Sequence, residues 1–432
     1  MIRSAMTAPE WARLSFALAL AVSLAIAGYI AWRASVLQPY SDMYDWIARY
    51  YQFRADGDLG RYLLAPHNFH RIAWMFLVLD LDIRFFGAHG YLEVAVALVC
   101  LAAVAGMLAK VAAEAAGPGF GLIGGGVAVA ISTLGCHLLQ AGTHITTPYL
   151  HGLVFAVAAI VVVNPEAGAS GPFRRLAALG CAVASGLGIA TGLAVWPALA
   201  FGAYRQRTWP WLAAVVLAAV AFGFLYGLGQ PPTPQPLAVA AREPRWLGDA
   251  VVLGLSYLGL PWGRAAPGAG VILGAVMLGL SIPVLIRRGG PRAGRSERIA
   301  VQLIVFSLGA ALLTAIGRAG MAAPQEPPIR YAVFLIPLHV GLWILALPTL
   351  RRLWERRPRL GALCLGAASV LLVCHQLVMA VYALGTANAE RDQLAAFQAG
   401  ARTPQMTTTI YPGLRKAEAM ERWMARDGLY RR

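Results

Sequence analysis

Lysine is almost missing from this chain of 432 residues, where Lys110 and Lys416 stand against thirty-four arginines. In an Ala-rich sequence that bias fits a GC-rich genome and carries no functional information. Charge of either sign is scarce: 13% of residues are charged and only twenty are acidic, against about a quarter charged in soluble proteins, which excludes an ordinary soluble domain. The five cysteines (Cys100, Cys136, Cys181, Cys364, Cys374) lie inside apolar runs with no C-x-x-C spacing. A disulfide framework and a thiolate metal site are therefore not indicated, and the cysteines read as small core hydrophobes. Strand-like alternation over about ten residues is also lacking, which excludes a transmembrane barrel. No internal repeat of the kind found in inverted-repeat transporters is visible.

What the chain has in abundance is apolar length. Hydrophobic residues make up 59% of it, mean hydropathy is +0.62, and apolar runs repeatedly reach the ~20 residues that cross a bilayer. The expectation is an all-α, polytopic transmembrane helical bundle with about ten full spans. The net charge of +16 resides in Arg clusters between apolar runs, the pattern of loops retained on the cytoplasmic side, so the lipid bilayer and not nucleic acid is the implied partner. Residues 12 to 35 are too long for a signal-peptide core and read as a retained first span, with the N-terminus cytoplasmic. The run from Leu176 to Tyr204 has Arg pairs at both ends (Arg174, Arg175 and Arg205, Arg207) and Ser185, Gly186, Gly188, Thr191 and Gly192 in its middle. It reads as two short helices meeting at a bend. Residues 250 to 262 read as a re-entrant or surface helix, because the following run must end at the basic loop RRGGPRAGRSER. The domain reading is a transmembrane unit over 1–385, with a first external loop at 38–90, and an external C-terminal tail over 386–432.

Within 38–93 lies the longest polar interruption. Ser41 to Arg54 places Asp42, Asp45, Arg49 and Gln52 at helical spacing on one face, with Met43, Tyr44, Ile47 and Tyr51 opposite. This predicts a short amphipathic helix on the membrane surface, and a carboxylate there can take a proton from a hydroxyl. The plainer reading is that Asp42 favours the helix N-terminus and Asp45 pairs with Arg49 four residues on. His67, Asn68, His70 and Arg71 follow, suited to anionic or hydroxylated ligands or to snorkelling at the interface. Two imidazoles three residues apart with no fixed third ligand are a weak metal signal, so a divalent ion is possible but not indicated. Asp80 and Arg84 are spaced to pair, after an apolar run too short to span. Further along, His144, Thr146, Thr147, Tyr149 and His151 crowd the outer start of one span, and Trp196-Pro197 follows the bend; Tyr and Trp there are also ordinary belt residues.

An Asp-bearing amphipathic helix after the first span, then HNFHRI, LDLDIRFFG, GLAVWP, AIGRAG and IRYAVF, resembles the GT-C superfamily of multi-spanning membrane glycosyltransferases. More closely it is similar to a group of bacterial membrane proteins of that type. In that group the loop motif reads Asn-Glu-His-Arg, and here Phe69 stands in the second position. The resemblance implies a bacterial inner-membrane enzyme with no bound cofactor. It would transfer a sugar, with inversion, from a polyprenyl-phosphate donor to a glycan, lipid or protein acceptor on the outer face. By position it implies Asp42 as general base, with Asp45 second. The leaving polyprenyl phosphate needs a cation and no strong acid, which suits Arg318 and Arg330, beside Tyr331, on either side of a short outer loop. Arg242, Arg245 and Arg264 are further outer cations. Two other classes fit the same residues: a transporter or flippase for a lipid-linked or anionic solute, using the Arg groups and the bent pair, and a non-catalytic membrane scaffold.

Overall fold

The computed structural model describes residues 8–35, 41–68, 70–133, 146–166, 170–230, 245–260, 268–319, 329–409, 411 and 413–429. Phe69, His137, His144, Cys136, the Pro-rich stretch 231–244 with Arg242, and Arg264 lie outside them. The described chain is all helix apart from short turns. Its elements are α1 (Ala8–Ala34), α2 (Met43–Asp56), α3 (Leu59–Leu64), α4 (Ala73–Phe86), α5 (Tyr91–Ala116), α6 (Gly121–Ser132), α7 (Thr147–Val163), α8 (Pro172–Gly186) and α9 (Val195–Arg205). They continue as α10 (Trp209–Gly227), α11 (Trp246–Leu258), α12 (Ala269–Arg287), α13 (Arg295–Arg318), α14 (Ile336–Arg356), α15 (Pro358–Gln398), α16 (Met406–Thr409) and α17 (Leu414–Arg426).

Seven of these, α1, α5, α10, α12, α13, α14 and α15, are long and apolar enough to cross a membrane. The apolar helices α6, α7 and α11 are shorter, so length alone does not bring the described helices to the ten spans expected. The centre of the bundle is α13, the most buried of the seven, against which α9, α11 and α14 pack. Lipid offers no hydrophobic drive for helix association, so close backbone approach and hydrogen bonds must supply it. The expected bend between 176 and 204 shows how. Helix α8 gives way to a 3₁₀ turn at Ala190–Ala194 and then to α9. The Ser185 hydroxyl donates to the carbonyl oxygens of Gly152 at 2.7 Å and Gly192 at 3.1 Å. A Cβ on Gly188 would stand 2.5 Å from the Gly152 nitrogen, and one on Gly192 only 2.2 Å from the Ser185 carbonyl oxygen. Any larger residue would push the bend apart.

Over one end of the bundle lies a cap made by α2, α3 and α4, with its own core of Met43, Trp46, Tyr50, Tyr62, Met75 and Phe76. Three polar devices fix it. The Asp82 carboxylate accepts from the backbone N–H groups of Gly90 and Leu92, both at 2.8 Å, filling otherwise orphan donors at the start of α5 and favoured by the positive helix end. Arg49 does not pair with Asp45, as its i+4 spacing suggested. Its guanidinium donates to the carbonyls of Ala65 and Pro66, each at 2.7 Å, and lies over the Phe76 ring. Arg71 is buried and donates to the carbonyls of Leu64, Tyr226 and Leu228, while its own N–H donates to the Tyr226 hydroxyl at 2.9 Å. It is a strut between the cap and the end of α10. Arg71→Met should cost about 1–3 kcal/mol for each carbonyl left unpaired, read as faster tryptic cleavage at the exposed Arg61 in folded protein.

The tail expected from residue 386 does not begin with a break, since α15 runs unbroken through 385 to Gln398. At 1.5 Å per residue it is about 60 Å long, roughly twice the hydrocarbon thickness, so one end stands clear of the membrane. There Arg391 donates to the Ser35 carbonyl at 2.9 Å and to that of Arg33, tying it to the end of α1. The chain then turns back, and α17 lays Ala417, Met420 and Met424 against Tyr44 and Ile47 of α2. The first loop and the C-terminal tail are therefore on the same side of the bundle, as parity required.

Candidate functional site

The site is built from four pieces of chain that the sequence keeps far apart. Asp42 stands at the N-cap of α2, but its side chain makes no capping bond. The helix dipole favours a carboxylate there, yet the oxygens stay free to face the next segment. That segment is a two-residue turn. His67 and His70 exchange both backbone hydrogen bonds, at 2.7 and 2.8 Å, and residues so paired project to one face. Asn68 makes the turn possible with φ +46°, a left-handed conformation that Asn tolerates better than most residues. Spacing in sequence suggested a shared face for the imidazoles, and the turn supplies it.

His67 Nε2 lies 3.7 Å from Asp42 Oδ2 and 3.2 Å from Asn68 Nδ2. The His67 side chain is only 10% exposed, whereas Asp42 keeps 37% open. The neighbouring imidazole of His67 does most to hold the Asp42 carboxyl below its ordinary value, with Arg330 assisting and burial opposing. Asp42 is consequently an anion throughout the neutral range. His70 is shifted in the other sense: burial, with His67, Arg318 and Arg330 nearby, pushes its imidazole down to about 4, so it faces the site uncharged.

The other wall comes from the bundle. Arg330 and Tyr331 lie in a 3₁₀ turn at Ile329–Leu335, ahead of α14, and Arg318 ends α13. Arg330 Nε donates to the Tyr149 hydroxyl at 2.9 Å, and Arg318 Nη2 donates to the Tyr331 hydroxyl at 3.2 Å with its guanidinium carbon 5.0 Å from that ring's centre. The two rings meet edge to face at 5.0 Å, and the Tyr331 carbonyl accepts from Tyr257 at 2.8 Å. Each Arg thus rests on a buried Tyr while keeping further donors available, and a guanidinium so braced presents a bidentate fork to an oxyanion.

Asp42, His67, Asn68, His70, Arg318, Arg330 and Tyr331 all line one cavity of about 80 Å³. Of the nine residues read as a site, two stand apart. Arg71 is the strut described above. Asp45 turns to the tail, where it accepts from the Tyr411 hydroxyl at 2.6 Å and pairs with Lys416. The cavity also recruits Trp46, Pro148, Tyr149 and Ile189. Trp46 could have been found, since it sits one turn after Asp42 on the same face. Ile189 could not, because only the bend after α8 brings it there. Two buried nitrogens of the lining, Trp46 Nε1 and His70 Nδ1, have no hydrogen-bond partner among the described residues. A wall with an anion, two cations and unused donors suits a ligand carrying both hydroxyls and a phosphate.

No group of three or more His, Cys, Asp or Glu side chains that could hold a metal ion occurs among the described residues. His151 is buried one helical turn beyond Thr147 and does not line the cavity. No family model matches the chain, and no curated protein or solved structure matches it.

Proposed function

We propose that this protein is a membrane glycosyltransferase of GT-C type, taking a sugar from a polyprenyl-phosphate donor with inversion. One observation supports this best: the part-exposed Asp42 carboxylate and two braced guanidiniums line the same small cavity. An acceptor hydroxyl attacks the anomeric carbon as the carbon–oxygen bond to the phosphate breaks. The hydroxyl proton passes to Asp42, and the bonding electrons go to the phosphate oxygen, where Arg318 and Arg330 meet the new charge. A depressed carboxylate is a weak base, but it suffices when the hydroxyl loses its proton late, after the sugar has become cation-like. At about 80 Å³ the cavity is well below the ~300–1,000 Å³ of whole-ligand pockets, so it accommodates the reacting phosphate and anomeric centre while the polyprenol stays in lipid.

The test is acceptor-dependent release of polyprenyl phosphate from polyprenyl-phosphate sugars by the purified protein in liposomes. Translocation of the donor with no glycosidic bond formed would move the assignment to a flippase. The pH profile gives a second check. With His67 in place the acid limb should lie below the ordinary carboxylate range. His67→Phe removes the group that lowers Asp42 most, so the limb should move upward in pH; an unmoved limb would exclude Asp42 as the titrating base.

A further inference from the structure

At the opposite end of α13, about 30 Å from Arg318 by helical rise, lies a second and larger cavity of about 210 Å³. Its wall includes Ser170, Arg175, Gln206, Trp211, Arg298 and Gln302, and no acidic side chain lines it. The nearby carboxylates are engaged elsewhere. Glu114 pairs with Arg295 and Lys110, and Glu297 accepts from the Gly289 N–H at 3.0 Å and pairs with Arg288. Two guanidiniums therefore share a cleft with no internal counter-charge from the described residues.

The cleft is also built, and not a chance gap between loops. Asn164 ends α7 and organises it, donating to the Gln302 amide oxygen at 3.2 Å and accepting from Arg298 Nε at 3.3 Å. Arg298 Nη1 donates to the Ala293 carbonyl at 2.8 Å, which fixes the fork and leaves Nη2 over. Gln302 is 2% exposed, and its amide presses against Gly202, where any Cβ would collide with it. Its oxygen is taken by Asn164 and its NH₂ lies against Gly202, which holds the side chain in place in the cavity wall. Arg175 rests over Trp211 with its guanidinium carbon 5.6 Å from the ring centre. The Arg175 Nε and Ser170 Oγ atoms are buried without a hydrogen-bond partner among the described residues. Leaving such donors unpaired is unfavourable, and a bound oxyanion would pair them. Three helices, α8, α10 and α13, begin around this cavity, and their positive ends add to the same field.

From this we infer that the cavity formed by Arg175, Arg298, Gln302 and Ser170 is an anion-binding site for a phosphate group. It is separate from the Asp42 cavity and does not depend on the transferase reading. Exposed Phe173, Tyr204 and Trp209 nearby are the aromatic residues expected at headgroup depth, so an anionic phospholipid and a free phosphate both present the required chemistry.

The experiment follows Trp211, which lines the cavity beneath Arg175. Full-length protein in lipid-free detergent is titrated with inorganic phosphate, and protein in phosphatidylcholine vesicles is compared with and without phosphatidylglycerol. Trp211-dependent fluorescence is read as the difference from a Trp211→Phe variant. Saturable response to phosphate alone identifies a free anion, and response to phosphatidylglycerol alone identifies a lipid headgroup; either supports the site. Arg175 makes no hydrogen bond that holds the fold among the described residues, so Arg175→Gln is the first variant, expected to weaken binding at least tenfold. Arg174→Gln, one residue away and outside the lining, should leave it unchanged. No response to either ligand, or equal binding by Arg175→Gln, would overturn the inference, whatever the outcome of the sugar-transfer assay.

Discussion

Asp42→Asn should lower sugar transfer by about 10²–10⁴-fold, the usual contribution of a positioned general base, with little change in stability. Asn has nearly the same shape and is itself favoured at helix N-caps. Asp42 makes no capping bond to lose, and its interaction with the helix dipole is worth only about 0.3–1 kcal/mol. Thermal unfolding in detergent should therefore stay close to that of the parent while turnover collapses. Because the carboxylate sits 3.7 Å from His67, the amide also leaves that imidazole without an anionic neighbour, so donor binding should be measured beside turnover. Full turnover by Asp42→Asn would remove the residue from the mechanism.

Arg330→Gln is the second large effect, a fall in kcat of about 10²–10³-fold, as when one donor to a developing oxyanion is removed. Arg330 is the cation that Asp42 feels most among the arginines, and it is held by Tyr149 at 2.9 Å. Tyr149→Phe should thus give a weaker version of the same defect by leaving the guanidinium in place but unbraced. Arg318→Gln should cost less, since Arg330 and not Arg318 is the guanidinium that acts on Asp42. The two together should fall short of the product of their separate effects, because both address one phosphate. A rise in KM with kcat unchanged in Arg330→Gln would mean that the residue binds donor and transition state equally, and would take charge stabilisation away from it.

Much of this arrangement is legible in the sequence, for reasons that differ by residue. Apolar run length and Arg placement give the helical bundle, because the bilayer permits few alternatives. The bend between α8 and α9 was visible as a cluster of Ser and Gly in a run too long for one span. The alternation of apolar runs puts Asp42 and the two arginines on one side, and the fold brings them to one cavity. What could not be read was which polar partner each charge would choose. Arg71 and Asp45 have the residue types and positions of site members, but Arg71 is claimed by three carbonyls and Asp45 by Tyr411 and Lys416, more than 360 residues on. Helical spacing allowed Asp45 to meet Arg49 but could not show that Ala65 and Pro66 compete for that guanidinium. The unbroken length of α15 escaped for a similar reason. Thr386 to Gln398 is polar, so hydropathy stops at the membrane surface while helix propensity in its Ala, Glu, Arg and Gln residues carries on.

That long helix and the α17 segment behind it have a consequence for biogenesis. Helix α2 leaves the ribosome long before α17, yet Tyr44 and Ile47 find their cover on Met420 and Met424 of that later helix. During the synthesis of nearly everything between, at ~5–20 residues per second, that apolar patch has no partner from its own chain. The cap over Asp42 can therefore be completed only once α17 has been made, so the first helices enter the membrane with that face of α2 uncovered. A chain cut before α17 would keep its candidate spans and leave Tyr44 and Ile47 without their cover, its cap unlatched.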